Sequence, residues 1–365
     1  MNEQSVVFEE LAVADGGRIG VARLNAPRSM NALSLDMIFL LKAKLIAWAD
    51  DDMIHAIWLE GEGDRALCAG GDIVALYRDM TEPRSDRSRP GVGEQFFTHE
   101  YELDYLIHTY PKPVVVWGNG LVMGGGIGLM VGGSHRVVTE NSKLAMPEVT
   151  IGLYPDVGAG WFLNRMPGRT GLFLGLTGAR LNGADALFTG LADRFISHDR
   201  RDDVMAVLLN TKLGEAPHTG ISKALRLFES ESREARPGST VRAHFDLIQT
   251  MTDGDSLIEV VDNISRFVNT DPWLTTAART LVSGSPTSLA ILWRHFHESR
   301  LKSLSEVLAS ERAISLKSLE KGEFAEGIRA LLIDKDKQPR WQYPDLASVD
   351  PVWVDEFFTG TENPA

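Results

Sequence analysis

The sequence predicts an α/β fold in which an N-terminal core is followed by a mainly helical C-terminal region. Strand-like and helix-like segments alternate through roughly the first 200 residues, and glycine-rich turns separate them. Beyond about residue 197 glycine becomes sparse, charged residues return and helical periodicity dominates. We therefore divide the 365 residues into a core, 1–200, and a helical region, 201–365, that packs on it.

The core elements follow from local patterns taken in chain order. Asp15-Gly16-Gly17 has the composition of a hairpin turn between the first two strands. Ser34 can cap a helix that runs to about Asp50, because apolar residues at helical spacing follow it. Strands are predicted at residues 6–11, 18–24, 54–59, 114–117 and 136–138.

Turn and capping residues assign three further segments. Residues 79–95 combine charge, proline and glycine without apolar periodicity, which predicts a surface loop or a flexible lid. Ser285-Pro286 has the chemistry that opens a helix. Ser303 with Glu306 fits a capping box for another helix. We therefore expect helices to begin at both of these points.

Charge and composition exclude several classes of protein. A net charge of −13 argues against a nucleic-acid partner, because phosphate binding needs a basic surface. The single cysteine, Cys68, allows no intrachain disulfide and indicates a reducing compartment. The start, MNEQSVVFEE, resembles neither a signal peptide nor a transit peptide. Together these features predict a cytoplasmic protein.

One segment is long and apolar enough to consider as a membrane helix. Residues 113–134 contain no Lys, Arg, Asp or Glu, but they contain eight glycines. The GNG and GGG runs would interrupt a spanning helix near its middle. A buried strand, a glycine turn and a buried helix explain the same residues better, so no membrane partner is predicted.

Several standard catalytic motifs are absent from the sequence. The serine-hydrolase elbow fails at its last position, Arg136, and there is no P-loop or dinucleotide fingerprint. The nine histidines show no metal-ligand spacing, so neither a metal site nor a separate cofactor is predicted.

What remains is a pair of glycine-rich turns and a pair of isolated acids. The turns are LCAGGD (67–72) and GNGLVMGGGIG (118–128), where backbone N–H groups can converge on a carbonyl oxygen. The alternative is that these glycines only permit tight turns. Glu148 and Asp156 are two of only three acids among residues 105–184. Because a buried acid without a partner is costly, their retention points to a function.

These segments resemble the successive signatures of the crotonase (enoyl-CoA hydratase/isomerase) superfamily. They are LNAPRSMNALS (24–34), LCAGGD, GNGLVMGGGIGL and MPEVTIGLYPDVGAGWFL. Residues 322–341 also resemble the ending of its 3-hydroxyisobutyryl-CoA hydrolase branch, to which the chain is most similar. The resemblance implies a core of repeated ββα turns wound into a superhelix and an acyl-CoA substrate.

The resemblance also implies roles for individual residues. Gly71 and Gly125 match the family's two backbone donors to the thioester carbonyl oxygen. Glu148 matches its catalytic glutamate, and Asp156 stands where the hydrolase branch carries aspartate and simple hydratases carry glycine. Glu100 matches a glutamate of that branch that contacts the substrate.

Contacts to coenzyme A are less specific in sequence. The resemblance implies that backbone carbonyls between Ala66 and Ala69 contact the adenine. Arg28 is a candidate for a phosphate contact, although a solvated surface arginine explains it equally well. Coenzyme A is part of the substrate here, so no additional cofactor is implied.

One departure from the hydratases favours hydrolysis. A hydratase of the family needs a second glutamate three residues after the donor glycine, and that position is Gly128 here. The Glu148/Asp156 pair instead suits attack on a thioester carbonyl, with Glu148 as either general base or nucleophile. The implied substrate is a small 3-hydroxyacyl-CoA, most simply 3-hydroxyisobutyryl-CoA of valine breakdown.

Two rival functions and the oligomeric state stay open at this point. One rival is an enoyl-CoA hydratase or isomerase reaction on the same fold, and the other is a non-catalytic CoA-binding scaffold. A homo-oligomer is possible because the core family often forms trimers, but a long C-terminal region can cover the same surfaces.

Overall fold

The computed structural model describes residues 4–83, 89–267 and 271–360. These residues form two compact units that interleave along the chain. The first unit consists of the described residues of Met1–Gly71, Glu102–Leu144 and Leu181–Ala243, and the second of those of Asp72–Tyr101, Ala145–Arg180 and His244–Ala365. The division into domains at residue 200 stays a prediction.

The strands of the first unit lie at β1 (Val6–Ala12), β2 (Arg18–Leu24), β3 (Ile54–Gly61), β4 (Ala66–Cys68), β5 (Val114–Gly118), β6 (Leu121–Met123), β7 (His135–Val138), β8 (Lys143–Ala145), β9 (Leu181–Asn182) and β10 (Arg194–Phe195). A six-stranded sheet has the order β1-β2-β3-β5-β7-β10, and a four-stranded sheet has the order β4-β6-β8-β9. In the larger sheet only β1 and β2 pair antiparallel. All five predicted core strands are confirmed.

The predicted hairpin between β1 and β2 is confirmed as well. Val13 N–H donates to the Gly17 carbonyl over 2.9 Å, and Gly16 adopts a φ of 87°. A glycine at this position avoids the steric cost that a Cβ atom meets in the left-handed region.

The helices lie at α1 (Leu35–Asp50), α2 (Ile73–Thr81), α3 (Val92–His108), α4 (Gly125–Val131), α5 (Ala159–Phe162), α6 (Thr170–Thr177), α7 (Gly183–Thr189), α8 (Arg201–Leu209), α9 (Pro217–Glu231), α10 (Thr240–Ala243), α11 (Phe245–Met251), α12 (Leu257–Ser265), α13 (Pro272–Ser283), α14 (Pro286–Glu298), α15 (Leu304–Lys321), α16 (Phe324–Ile328) and α17 (Pro351–Asp355). Among the described residues, none of them is long and apolar enough to cross a membrane.

The predicted helix starts are confirmed by their capping bonds. Ser34 Oγ accepts from the N–H of Met37 over 3.2 Å at the start of α1. Ser285 Oγ accepts from the third residue of α14 over 2.9 Å. Ser303 and Glu306 form both bonds of a capping box at the start of α15. Local sequence therefore decides where these three helices begin.

The core of the first unit lies between the larger sheet and helices α8 and α9. Trp58 on β3 and Trp117 on β5 are almost fully buried, and their rings stack with centroids 5.4 Å apart. Seventeen buried side chains form this cluster. Each large apolar side chain buried this way contributes roughly 1.5–3 kcal/mol.

The prediction of a loop over residues 79–95 is wrong at both ends. Helix α2 continues to Thr81 and α3 begins at Val92. Asp79 Oδ2 accepts from Gly93 N–H over 2.9 Å and so satisfies a free donor in the first turn of α3. Residues 84–88 of the predicted lid lie outside the described residues.

Candidate active site

The glycine turn that precedes α4 lies in the first unit and allows an unusually close approach to β4. Gly124 has a φ of 48° and a ψ of −122°, a conformation open mainly to glycine. A Cβ atom on Gly126 would lie 2.4 Å from the carbonyl oxygen of Cys68. Gly125 is the first residue of α4, and N–H groups at this end have no acceptor within the helix. The turn can therefore present N–H donors.

The LCAGGD turn packs against the same segment. Gly70 has a φ of 103°, and a Cβ atom there would lie 3.3 Å from the carbonyl oxygen of Met123. Gly71 forms a β-bridge with Leu33, whose N–H donates to the Gly70 carbonyl over 2.8 Å. The structure thus brings together the two turns that carry the predicted donors, Gly71 and Gly125.

Asn31 is a structural residue of this region that the sequence reasoning missed. It is fully buried at a φ of 54°, and its Nδ2 donates to the Ala66 carbonyl over 2.8 Å. It also donates to the Glu62 carbonyl over 3.1 Å and accepts from Ala26 N–H over 3.0 Å. The sequence signal was the asparagine itself, since asparagine tolerates the left-handed region better than most residues.

The predicted coenzyme A contacts differ in accessibility. Arg28 is exposed in a short 3₁₀ turn, Pro27–Ser29, as a solvated arginine would be. Ala66 is buried, and its carbonyl oxygen already accepts from Asn31. Ala69 N–H donates to the Met30 carbonyl over 3.1 Å. The assignment of Ala66, Ala69 and Arg28 to coenzyme A stays a prediction.

Ala66 also borders a cleft of about 470 Å³ in the first unit. Five carboxylic acids line this cleft, against two arginines and one histidine: Glu60, Glu62, Asp64, Asp199, Asp202, Arg23, Arg201 and His198. The carboxylates of this lining would repel the negatively charged phosphates of coenzyme A. We therefore do not assign the coenzyme A part of the substrate to this cleft.

The two acids of the second unit lie on consecutive tight turns. Glu148 begins a 3₁₀ turn, Glu148–Ile151, that closes at Gly152 with a φ of 72°. A Cβ atom on Gly152 would lie 2.4 Å from the carbonyl oxygen of Glu323, so glycine is required there. Ser285 N–H donates to the Val149 carbonyl over 2.9 Å and anchors the turn to α14.

The turn that carries Asp156 is strained. The next residue, Val157, has a φ of 53°, and Gly158 follows at 87°. A β-branched residue in the left-handed region is a true outlier, and such strain is typically worth about 1–3 kcal/mol. Strained residues of this kind cluster at functional sites because the surrounding structure holds them there.

Burial controls the protonation of both acids. Glu148 and Asp156 are 5% and 4% exposed. Burial, and then the charge of Asp156, raise the pKa of Glu148 well above its usual range. Burial raises the pKa of Asp156 to about 7, against a hydrogen bond from Tyr101 that lowers it. With their pKa values raised, both acids hold a proton more readily than exposed carboxylates do.

The hydrogen-bond partners of the two acids also differ. Oε2 of Glu148 is buried and has no hydrogen-bond partner among the described residues. Oδ2 of Asp156 accepts from the Tyr101 hydroxyl over 2.6 Å. A buried carboxylate oxygen without a donor is costly, and such an atom is suited to meet a reacting water or substrate. Sequence reasoning did not identify Tyr101, although it adjoins Glu100.

Glu100 is buried in α3, 2% exposed. Burial, the charge of Asp156 and, to a smaller extent, the charge of Glu100 raise the pKa of Tyr101. Glu100, Glu148 and Asp156 are thus all buried residues of the second unit. Within the described residues no cluster of three or more His, Cys, Asp or Glu side chains could hold a metal ion.

The comparisons with known proteins decide the family. The model for enoyl-CoA hydratase/isomerase matches residues 19–358. The chain belongs to this family. A 3-hydroxyisobutyryl-CoA hydrolase of Danio rerio is 36% identical over 98% of this chain and 90% of its own length. One of Xenopus tropicalis is 36% identical over 100% and 92%.

A solved structure agrees with the fold. A carnitinyl-CoA dehydratase from Mycobacterium thermoresistibile is 34% identical, with a TM-score of 0.84 over 98% of this chain and 96% of that chain. The predicted family and the crotonase-like core with its helical C-terminal region are therefore confirmed, and the chain is an enzyme of this family.

The prediction of a cytoplasmic protein is wrong by the same comparison. The relatives from Danio rerio and Xenopus tropicalis are mitochondrial by name. The acidic first segment does not resemble a signal peptide or a transit peptide, but this composition does not identify the compartment of the protein. The roles of the individual site residues and a homo-oligomeric state stay predictions.

Proposed function

We propose that the protein hydrolyses the thioester of a small 3-hydroxyacyl-CoA, most simply 3-hydroxyisobutyryl-CoA. The observation that carries the proposal is the buried pair Glu148 and Asp156, with one oxygen of Glu148 lacking a hydrogen-bond partner among the described residues. The names of relatives that match across nearly the full chain support the same activity. Valine breakdown is the context that the resemblance implies.

The arrangement of acids favours hydrolysis over hydration. Gly128 is buried in α4, at the position where a hydratase of the family needs its second glutamate. A glycine can neither hold a water molecule nor exchange a proton with it. The dehydratase among the solved relatives nevertheless makes reversible addition of water to an enoyl-CoA the second candidate function.

The reaction needs one proton acceptor and one proton donor. In the first of two routes, Glu148 accepts a proton from water while the hydroxide oxygen bonds to the thioester carbon. The C–S bond then breaks, and the leaving thiolate takes a proton from the acid pair. The products are the free carboxylic acid and the thiol of coenzyme A, and the pair returns to its starting protonation.

In the second route Glu148 is itself the nucleophile. Its carboxylate attacks the thioester carbon, the C–S bond breaks, the leaving thiolate takes a proton from Asp156, and a mixed anhydride forms. Water then cleaves the anhydride to the free acid and the Glu148 carboxylate, and its second proton returns to Asp156. A single turnover in ¹⁸O-labelled water tests the second route: attack of water on the Glu148 carbon labels Glu148 and leaves the first product molecule unlabelled. The general-base route labels that product and never labels Glu148, as does attack of water on the acyl carbon of the anhydride, so an unlabelled product identifies the nucleophilic route.

Charge on the thioester oxygen needs stabilisation in both routes. We assign this role to the backbone N–H groups of Gly71 and Gly125, as the family resemblance implies. Each donor of this kind contributes about 3–4 kcal/mol to a transition state. We assign Glu100 to contact with the 3-hydroxyl group of the substrate.

A thiol-release assay across short acyl-CoAs tests the proposal. The panel contains 3-hydroxyisobutyryl-CoA, its analogue isobutyryl-CoA and the enoyl substrate crotonyl-CoA. We expect release of thiol and free acid from the first at the highest kcat/KM. Loss of the enoyl absorbance of crotonyl-CoA without thiol release would support the hydratase instead, and thermal stabilisation without any turnover would support a binding scaffold.

A further inference from the structure

A chain of buried polar side chains continues from Asp156 into the helices of the second unit. Each of its members is at least nine-tenths buried, and the mechanism above uses none of them. They come from α3, from the loop before α5, from α14 and the residue that follows it, and from α15. The chain consists of Tyr101, Tyr154, His295, Ser299, Glu311 and Ser315.

Glu311 holds the backbone that follows Asp156. Its Oε2 accepts from Gly158 N–H over 2.6 Å, and its Oε1 accepts from Gly160 N–H over 3.0 Å. His295 Nε2 lies 3.0 Å from the same Oε1. Glu311 is fully buried, so these contacts replace the water that a carboxylate otherwise binds.

The fit around this carboxylate is close. A Cβ atom on Gly160 would lie 2.5 Å from Nε2 of His295. The strained Val157 and Gly158 stand between Asp156 and the helix α5 that Glu311 caps. Because strained backbone persists only where neighbouring contacts hold it, Glu311 is suited to maintain this turn.

Two tyrosines and a serine connect Glu311 with the side chain of Asp156. Tyr101 donates to Asp156 Oδ2 over 2.6 Å, and Tyr154 donates to the backbone carbonyl of Glu311 over 2.8 Å. Ser315 Oγ lies 2.7 Å from the first hydroxyl and 3.0 Å from the second. Since both tyrosine protons are committed, Ser315 donates to a tyrosine oxygen, and a bond to Tyr101 would strengthen its donation to Asp156.

We propose that Tyr101 and Glu311 are positioning residues for the hydrolysis: Tyr101 orients the Asp156 carboxylate, and Glu311 fixes the backbone turn that carries it. The inference rests on the proposed function of Asp156. It gives the C-terminal helices α14 and α15 a part in catalysis, because they supply His295, Glu311 and Ser315.

The charges around Asp156 make the Tyr101 bond important. Burial and the charge of Glu311 raise the pKa of Asp156, and Glu100 adds negative charge near Tyr101. Tyr154 is held neutral by burial. The basic group of the network, His295, contacts Glu311. Loss of the Tyr101 hydroxyl therefore removes a donor that favours the ionised form of Asp156.

The first test is the pH profile of kcat for Tyr101→Phe. We expect the profile to move toward higher pH by about one unit, with KM nearly unchanged, because a hydrogen bond to a charged group is lost. Tyr110→Phe is the matched control: its hydroxyl donates to the Leu45 carbonyl over 2.6 Å, and its loss leaves the profile in place. A Tyr101→Phe profile that coincides with the wild type overturns the role of Tyr101.

The second test is Glu311→Gln. The side-chain NH2 group of the glutamine would then face a backbone N–H group and could not accept its hydrogen bond. We therefore expect the turn to shift and kcat to fall about 10-fold to 100-fold. Asp185→Asn is the matched control, since this buried carboxylate accepts from Val241 N–H over 2.8 Å and from Asn182 N–H over 3.0 Å. The role of Glu311 is overturned if both variants lose stability but Glu311→Gln keeps the wild-type kcat. If Glu311→Gln does not fold, Glu311→Asp replaces it: the shorter carboxylate withdraws from the N–H groups of Gly158 and Gly160, so kcat is expected to fall, and an unchanged kcat is the contrary result.

A readout without substrate separates this inference from the proposed function. Infrared difference spectra report the protonated carboxyl band of Asp156, identified by its loss in Asp156→Asn. In Tyr101→Phe the titration of this band moves to higher pH if the inference holds, and does not move if it fails. The absence of thiol release from every acyl-CoA, together with a moved band, would reject the proposed hydrolase and retain the positioning of Asp156.

Discussion

Two glutamates with the same burial, one in each unit, have opposite surroundings. Glu60 of the first unit and Glu148 of the second are both 5% exposed. Glu60 Oε1 accepts from Arg201 over 2.6 Å and from Arg23 over 2.9 Å, and its Oε2 accepts from Trp58 over 2.8 Å. Glu148 has one oxygen without a hydrogen-bond partner among the described residues, and the charge of Asp156 opposes its ionisation.

The difference separates a structural carboxylate from a reactive one. The guanidinium groups and the indole N–H replace the hydration that Glu60 loses on burial. Oε2 of Glu148 has no such donor among the described residues, so this oxygen is left open to a reacting partner. Burial of an acid therefore carries little functional information until its partners are known.

The largest effect is expected from removing the charge of each glutamate in turn. Glu148→Gln should lower kcat for thiol release by at least about 10³-fold, because the base or nucleophile is lost. Glu60→Gln should leave kcat near the wild-type value but lower the free energy of unfolding by about 3 kcal/mol, because the guanidinium groups lose their counter-charge. Stopped-flow thiol release and urea denaturation measure the two quantities.

The contrast between the two glutamates would be broken by the reverse pattern. Near-wild-type turnover in Glu148→Gln would remove this residue from the mechanism. A large loss of kcat in folded Glu60→Gln would show that the first unit contributes more than structure at this position.

Asp156→Asn is expected to lower kcat and to increase the free energy of unfolding. The pKa of Asp156 is raised from 3.8 to about 7 in the folded protein, so its contribution to stability is present below pH 4 and is lost as the pH rises toward 7. The neutral amide avoids that loss. We expect the free energy of unfolding to increase by roughly 2–4 kcal/mol at pH 8 and by less at pH 5, while kcat falls about 10²-fold or more.

Urea denaturation at the two pH values checks this sign. Asp185→Asn is again the control, because its oxygens accept backbone N–H groups and its replacement should destabilise the protein at both pH values. An Asp156→Asn variant that is less stable than the wild type at pH 8 would contradict the burial argument.

Local sequence was sufficient for much of the fold and for the acids themselves. The starts of three helices could be predicted from Ser34, Ser285 and Ser303, because capping acts within one turn of the chain. Glu148 and Asp156 stood out because the surrounding segment contains almost no other acid. Both signals are short-range, so a single sequence carries them.

The partners of the acids could not be found in the same way. Tyr101 lies 55 positions before Asp156, and Glu311 lies 153 positions after Gly158. No local pattern connects residues at such separations, since only the tertiary fold brings them into contact. The error at residues 79–95 has a related cause: the Asp79 carboxylate accepts from Gly93 N–H, 14 residues further along the chain.

The smallest expected effect comes from removing one of the groups that donate hydrogen bonds to the buried carboxylate of Glu60. Arg201→Met removes the two bonds of this guanidinium to Glu60, over 2.6 and 3.0 Å, together with its bond to the exposed Asp202, while Arg23 and Trp58 continue to donate to Glu60. Because the Arg201 side chain is 25% exposed, water replaces part of what is lost. We expect the free energy of unfolding to fall by about 1–2 kcal/mol, with kcat unchanged. Urea denaturation and the thiol-release assay measure both.

Arg200→Met is the control that shows whether burial of the carboxylate matters. Arg200 pairs with Asp203 and Glu231, whose side chains are 61% and 41% exposed, so its loss should change the free energy of unfolding by less than about 1 kcal/mol. If Arg201→Met costs no more than Arg200→Met, the guanidinium of Arg201 is not what compensates the burial of Glu60. The buried charge of Glu60 would then be stabilised by Arg23 and Trp58. In that case Arg23→Met should lower the free energy of unfolding by more than Arg201→Met does.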